Sequence, residues 1–259
     1  MSKEESPCAM AALCRVAGPK EMTNEIKHTQ NPVETARSYR PPAQSRATRV
    51  PSARSKASGR SMIAVQTPAE AHPRYMFCES KLEQRALYLL LARPETLNIV
   101  EQPAPVAYTR ADGRKRNHVF DFLLTQRCGH RIAIEVKPWA IAERTDLRQE
   151  LQLVRAAMPL SFAHEIVLIT DRSFTRAAAQ NAERLHAFRR TADPEADATI
   201  TALLADLTTQ TKIAELALQS GLEGRGFRAV FRAIYAGRAR TLTPGAILPS
   251  STIIAEGRA

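Results

Sequence analysis

The sequence is poor in cysteine, with four among 259 residues, at positions 8, 14, 78 and 128. None forms a Cys-x-x-Cys pair or a cysteine–histidine cluster, which argues against a zinc site and fits a reducing cytosol. No apolar run approaches the ~18 residues that a membrane span requires, and no signal peptide opens the chain. The expectation is a soluble, cytoplasmic protein with no membrane partner. A glycine-rich phosphate loop is missing, so ATP hydrolysis is not expected. No internal repeat is visible. Acidic residues are the minority, 26 against 37 Lys and Arg, for a net charge of +11. Such a surplus favours a polyanionic partner, nucleic acid or a membrane surface. Apolar content is 44%, ordinary for a globular chain, and the length fits one or two domains.

What is present centres on two apolar runs. Asp121 interrupts Val119-Phe120-Asp121-Phe122-Leu123-Leu124. The second run, Ile132-Ala133-Ile134-Glu135-Val136-Lys137-Pro138, ends in Glu-x-Lys, and Gln126-Arg127-Cys128-Gly129-His130 between them reads as a turn. A hairpin follows. Strand period two sets Glu135 and Lys137 on one face, and the paired strand brings Asp121 to them. A charge inside an otherwise apolar strand needs a reason to be there. Two carboxylates held close repel unless a proton or a divalent cation offsets them. Carboxylate oxygens suit Mg²⁺ or Mn²⁺, and a neighbouring lysine can orient a water or take its proton.

The flanking segments divide the chain. Residues 1–60 lack periodicity; between 37 and 60 they hold seven basic residues and no acidic one, among Pro, Ser, Ala and Gly. That composition predicts a disordered basic arm, which either adds phosphate contacts or only solubilises. Residues 61–74 read as an ordered lead-in. Residues 79–92 predict a helix, with Leu82, Ala86, Leu89 and Leu90 on one face and Pro94 beyond its end; Glu83 lies on it. Residues 97–100 and 106–108 predict short strands, with Gln102 beside the site. Asp112-Gly113 predicts a hairpin turn. Arg114, Lys115 and Arg116 follow, as phosphate contacts or as a solvated turn. A helix over 139–158 and a strand over 165–170 imply a crossover and a parallel pair. Asp171 at that strand's end is expected to cap a helix, and residues 175–189 form another. Beyond a boundary near 192–197, three helices read as a helix-turn-helix, with a short strand pair over 246–254 as a wing. Arg225, Arg228 and Arg232 decorate its last helix, as a recognition helix would require; a plain helical cap is the alternative.

Taken in order, these blocks resemble the PD-(D/E)XK nuclease superfamily, and within it the TnsA-type transposon-end endonucleases. The likeness rests on Ser80-Lys81-Leu82-Glu83, Ile99-Val100-Glu101-Gln102-Pro103, Phe120-Asp121-Phe122-Leu123, Ile134-Glu135-Val136-Lys137-Pro138, Glu143-Arg144-Thr145 and Ile169-Thr170-Asp171, and spans roughly residues 75–190. One departure is that some members carry Gln where this chain has Glu135. The resemblance implies a restriction-endonuclease-like α/β fold, a mixed sheet flanked by helices over residues 61–191, and a C-terminal winged-helix domain over 192–259. It implies that Asp121 and Glu135 hold Mg²⁺ (or Mn²⁺), helped by the Val136 carbonyl, that Glu83 adds a third acidic group, and that Lys137 positions the hydrolytic water. The implied substrate is double-stranded DNA, cut at the 5′ ends of a transposon. The implied partners are a DDE transposase and an AAA+ ATPase regulator. Rival readings are a free-standing restriction or repair nuclease, and a catalytically silent DNA-binding regulator.

Overall fold

A hairpin at the N-terminal side and a four-stranded sheet set the frame. The computed structural model describes residues 40–49 and 59–256. The chain divides into a unit of residues 1–40 and a second unit from Pro41 to Ala259, and every element below lies in the second. Of the expected basic arm, residues 1–39 and 50–58 lie outside the described residues. Residues 41–49 depart from that expectation. The Ser45 hydroxyl donates to Glu101 Oε1 at 2.5 Å, and the Thr48 N–H donates to the Gln102 carbonyl at 3.0 Å. Ala43 lies beside the next hairpin, exchanging backbone bonds with Pro73 and Tyr75. Backbone pairing, which composition does not report, orders this stretch.

The lead-in is that antiparallel hairpin, β1 (Ser61–Val65) and β2 (Arg74–Cys78). Helix α1 (Lys81–Ala92) starts at Ser80, whose hydroxyl accepts the Glu83 N–H at 3.1 Å. The central sheet runs β3 (Thr96–Glu101), β6 (Phe122–Gln126), β7 (Arg131–Val136), β8 (Glu165–Ile169), in the order β3-β6-β7-β8. The first two pairs are antiparallel and β7–β8 is parallel, so the sheet is mixed. The β6–β7 turn closes at Gly129, whose φ of 85° is a left-handed conformation that glycine adopts without strain.

Period two then decides the faces. Phe122, Leu124, Ile132, Ile134 and Val136 point into a core shared with α1 and with α4 (Arg176–Arg190). Ala133 points to the other face, with Phe120 and the stripe Leu147, Leu151 and Val154 of α3 (Leu147–Ala157). Glu135 and Lys137 share the parity of Ala133 and belong to that second face. A second hairpin, β4 (Val106–Thr109) and β5 (Lys115–His118), covers it, turning at Asp112-Gly113. The expected helix over 139–158 is two helices, α2 (Trp139–Arg144) and α3, broken at Asp146 with φ 48°. The stripe nevertheless falls where its spacing demands.

Beyond α4, the stretch 192–197 expected as a boundary is mostly helical, because α5 (Pro194–Ala205) starts at Pro194 with Asp193 as its cap, and residues 41–259 cluster as one unit. Strand β9 (Thr211–Lys212), α6 (Ile213–Gln219), α7 (Glu223–Tyr235), β10 (Ala239–Thr241) and β11 (Thr252–Ala255) follow. The three strands form an antiparallel sheet in the order β10-β11-β9. The strand pair thus begins earlier than the apolar run at 246–254 indicated. Where α6 meets α7, a Cβ on Gly226 would lie 2.6 Å from Ser220 Oγ, so the close approach requires glycine. Among the described residues no helix is long and apolar enough to cross a membrane.

Candidate active site

The end of the sheet where β6 begins and β7 finishes gathers the acidic groups. Asp121 directly precedes β6. Its N–H donates to the Ile134 carbonyl at 3.0 Å, and its Oδ2 accepts the Val136 N–H at 2.7 Å. The aspartate is therefore bonded to the two peptides that flank Glu135. Glu135 is buried, its Oε2 3.2 Å from His118 Nε2 and its Oε1 3.4 Å from Lys137 Nζ. Lys137 is 40% exposed, so its ammonium stands between the buried carboxylates and solvent. Burial, then the charges of Glu135 and Glu83, hold the Asp121 carboxyl well above the ordinary range, against the pull of the Val136 N–H and Lys137. The site thus concentrates more negative charge than it neutralises.

Glu83 lies close enough for its charge to act on Asp121, but its oxygens are engaged in its own helix start. Oε2 accepts the Glu79 N–H at 2.7 Å and Oε1 accepts the Ser80 hydroxyl at 2.8 Å. Burial raises the Glu83 pKa, which those bonds and Lys137 partly offset. Burial and the Glu83 charge likewise push the Cys78 thiol up to about 12. Gln102 enters through its backbone, its N–H donating to the Asp121 carbonyl at 2.9 Å with φ 41°. Its side-chain amide is buried without a hydrogen-bond partner among the described residues. Asp171 accepts the Trp139 N–H at 2.6 Å, which lowers its pKa and caps α2 from the end of β8.

Two residues that matter here, His118 and Arg74, are not among the expected site residues. His118 closes the β4–β5 hairpin opposite Val106 and thereby reaches Glu135. Its parity along a short basic strand was the available clue. Arg74 is 1% exposed and bonds Glu70 Oε1 at 2.6 Å, Glu101 Oε2 at 2.5 Å and the Ile99 carbonyl, locking the end of β3 that carries Gln102.

The basic residues separate into two groups. Arg114, Lys115 and Arg116 are exposed on the β4–β5 hairpin, the same hairpin that delivers His118. Arg225 and Arg232 do not extend from α7 as a recognition surface would require. Arg225 binds Asp193 at 2.8 Å and Glu195 at 2.5 Å; Arg232, 12% exposed, binds Asp197 at 2.7 Å. Their charge is answered by the acidic first turn of α5. Arg228 is half-buried and forms no ion pair among the described residues.

The donor set fits a small hard cation. Mg²⁺ keeps several waters and uses one or two carboxylates, as Asp121 and Glu135 offer. Among the described residues no three His, Cys, Asp or Glu side chains come together as a closed cage. This is an open pair of carboxylates backed by a lysine.

Residues 106–201 match the Mrr_cat family of restriction endonucleases. The matched segment runs from β4 into α5 and contains Asp121, Glu135 and Lys137; Glu83 and α6–β11 lie outside it. No curated protein matches the chain.

Proposed function

We propose that the chain is a metal-dependent DNA endonuclease hydrolysing phosphodiester bonds, centred on Asp121, Glu135 and Lys137. The observation that carries this reading is the half-buried Asp121 carboxylate, fixed by the Val136 N–H beside the buried Glu135, with its pKa raised by desolvation and by the charges of Glu135 and Glu83. Asp121 and Glu135 would hold Mg²⁺ or Mn²⁺, with the Val136 carbonyl as a further oxygen. When bound, such an ion offsets the charge that builds on the phosphate oxygens. Lys137 directs the attacking water in line with the scissile bond and stabilises its developing negative charge. His118 holds the Glu135 carboxylate in one orientation. Glu83 acts on Asp121 through its field. Arg114, Lys115 and Arg116 contact DNA phosphates from the hairpin.

The finer reading is a TnsA-type subunit cutting the 5′ ends of a transposon, beside a DDE transposase and an AAA+ ATPase. Its support is the order of motifs and the C-terminal segment, where α5, β9, α6, α7, β10 and β11 come in the order of a winged helix. In that domain Arg228 is the α7 cation left to meet DNA. A second reading, a restriction nuclease acting alone, is favoured by the match of residues 106–201.

Calorimetric titration of Mn²⁺ into wild type and Asp121→Ala tests the core proposal. Binding that disappears in the variant supports it; no binding to either, with DNA present, overturns it in favour of a catalytically silent DNA-binding regulator. Plasmid cleavage by the purified chain alone supports the restriction reading. Cleavage only with a transposase supports the TnsA-type reading.

A further inference from the structure

We propose that Trp139, with Arg148 and Arg172, forms a binding site for an unpaired nucleotide beside the cleavage centre; the inference rests on the endonuclease reading. Trp139 is the only tryptophan in the chain. It follows Lys137 by two residues, so its Cα lies within about 7 Å of the Lys137 Cα. Strands β7 and β8 run parallel and finish at the same end of the sheet, with Val136 opposite Ile169. The turn after β8 therefore delivers Arg172 to the same rim. Its guanidinium lies 4.7 Å from the indole centroid, and that of Arg148, from the first turn of α3, lies 5.6 Å away. Asp171 fixes the backbone of Trp139. Three separate elements converge on one half-buried ring.

Close ion pairing does not hold these arginines in place. Arg172 is exposed and forms no salt bridge among the described residues, and Arg148 has only an exposed contact with Glu143 at 4.0 Å. Two cations, Arg172 next to the Asp171 carboxylate and Arg148 near Glu143, thus flank an aromatic face on the rim of the proposed cleavage site. Guanidinium groups recognise phosphate through paired donors. An indole stacks on a base of any identity. In an intact duplex the base faces are covered by their neighbours, so the matching ligand is a nucleotide released from the stack. On its arrival the arginines exchange the ring for the phosphates, and the base takes their place. Cleavage at this site would then favour DNA that is frayed, bulged or single-stranded next to the scissile phosphate.

The single tryptophan makes the test direct. In Ca²⁺ buffer, the full chain is titrated with fluorescein-labelled single-stranded oligonucleotide, perfect duplex and duplex with a one-base bulge. Anisotropy reports binding and tryptophan emission reports the ring. The expected result is quenching by the single strand and the bulged duplex, with a much smaller change for the perfect duplex. Trp139→Leu weakens the single strand by about tenfold or more, while Trp139→Phe stays within about threefold because a stacking face remains. Arg148→Gln/Arg172→Gln, two surface changes, weaken all three DNAs and reduce the salt slope by about two. Anisotropy that rises with unchanged emission overturns the proposal, as does a folded Trp139→Leu that binds like wild type, or no binding of any of the three DNAs. Metal-dependent plasmid cleavage separates the two readings. Cleavage with an unmoved indole removes the stacking site and keeps the nuclease; quenching in a chain that binds no Mn²⁺ in the calorimetric titration removes the nuclease and keeps the site.

Discussion

Arg74→Met is expected to be severely destabilising, although Arg74 touches none of the proposed catalytic groups. Its guanidinium is enclosed and bonded to Glu70, Glu101 and the Ile99 carbonyl. Removing it leaves Glu101, fully buried, with the Ser45 hydroxyl and the Arg46 N–H as its donors among the described residues. Breaking a buried ion pair by removing one partner costs about 3–5 kcal/mol, because the stranded charge keeps its desolvation penalty. An exposed pair such as Arg148–Glu143 contributes only ~0–1 kcal/mol. Each kcal/mol moves the melting midpoint of a unit this size by ~2–4 °C, so a fall of about 10 °C is expected in calorimetry or circular dichroism. The triple variant Glu70→Gln/Arg74→Met/Glu101→Gln removes the charges together and is expected to recover more than half of that loss. A single variant that melts within about 2 °C of wild type, or a triple variant no better than the single, would refute the reasoning. Because Glu101 precedes Gln102, whose N–H holds the Asp121 carbonyl, Mn²⁺ affinity of Arg74→Met should fall as well.

Three further outcomes follow from the site. Asp121→Asn should abolish cleavage yet stabilise the metal-free protein. Folding raises the Asp121 pKa, so the group's favourable contribution is present at low pH and is lost as pH rises through the raised value. In chelator, wild type should therefore lose more stability than the variant as pH rises above the ordinary carboxylate range, and melting curves with equal pH slopes would contradict this. His118→Ala should lower cleavage by about ten- to a hundredfold with little change in fold, since it frees the buried Glu135 carboxylate to turn; steady-state rates check it. Iodoacetamide at pH 8, read by peptide mass mapping, should label exposed Cys128 and spare Cys78, whose burial suppresses the thiolate.

That Asp121, Glu135 and Lys137 come together at one end of the sheet was legible because local rules agree there. Alternation fixed the face, a glycine turn fixed the hairpin, and the strand–helix–strand order fixed the parallel partner. The stripe on α3 was legible for the same reason, even though a left-handed Asp146 breaks the helix before it. What stayed hidden depends on pairings distant in sequence. Arg74 reads as part of a proline-bearing lead-in until Glu101 is placed against it. Arg225 and Arg232 have the spacing of a recognition helix, and helical periodicity cannot say that α5 presents Asp193, Glu195 and Asp197 to that face. Residues 41–49 have the composition of disorder, and bonds to Pro73, Tyr75, Glu101 and Gln102, distant in sequence, give them an ordered course.

The bond from the Val136 N–H to Asp121 has a consequence for how such a protein can change. Glu135, Val136 and Lys137 occupy consecutive positions, and Asp121 is tethered to the peptide between the other two. The distances among the three groups are thus set by one strand segment, with no loop free to alter them separately. Variation in what is cut has to come from the parts that approach this segment from outside: the β4–β5 hairpin, the rim around Trp139 and the C-terminal helices. These could be exchanged between relatives as modules, with the hydrolytic geometry carried along unaltered.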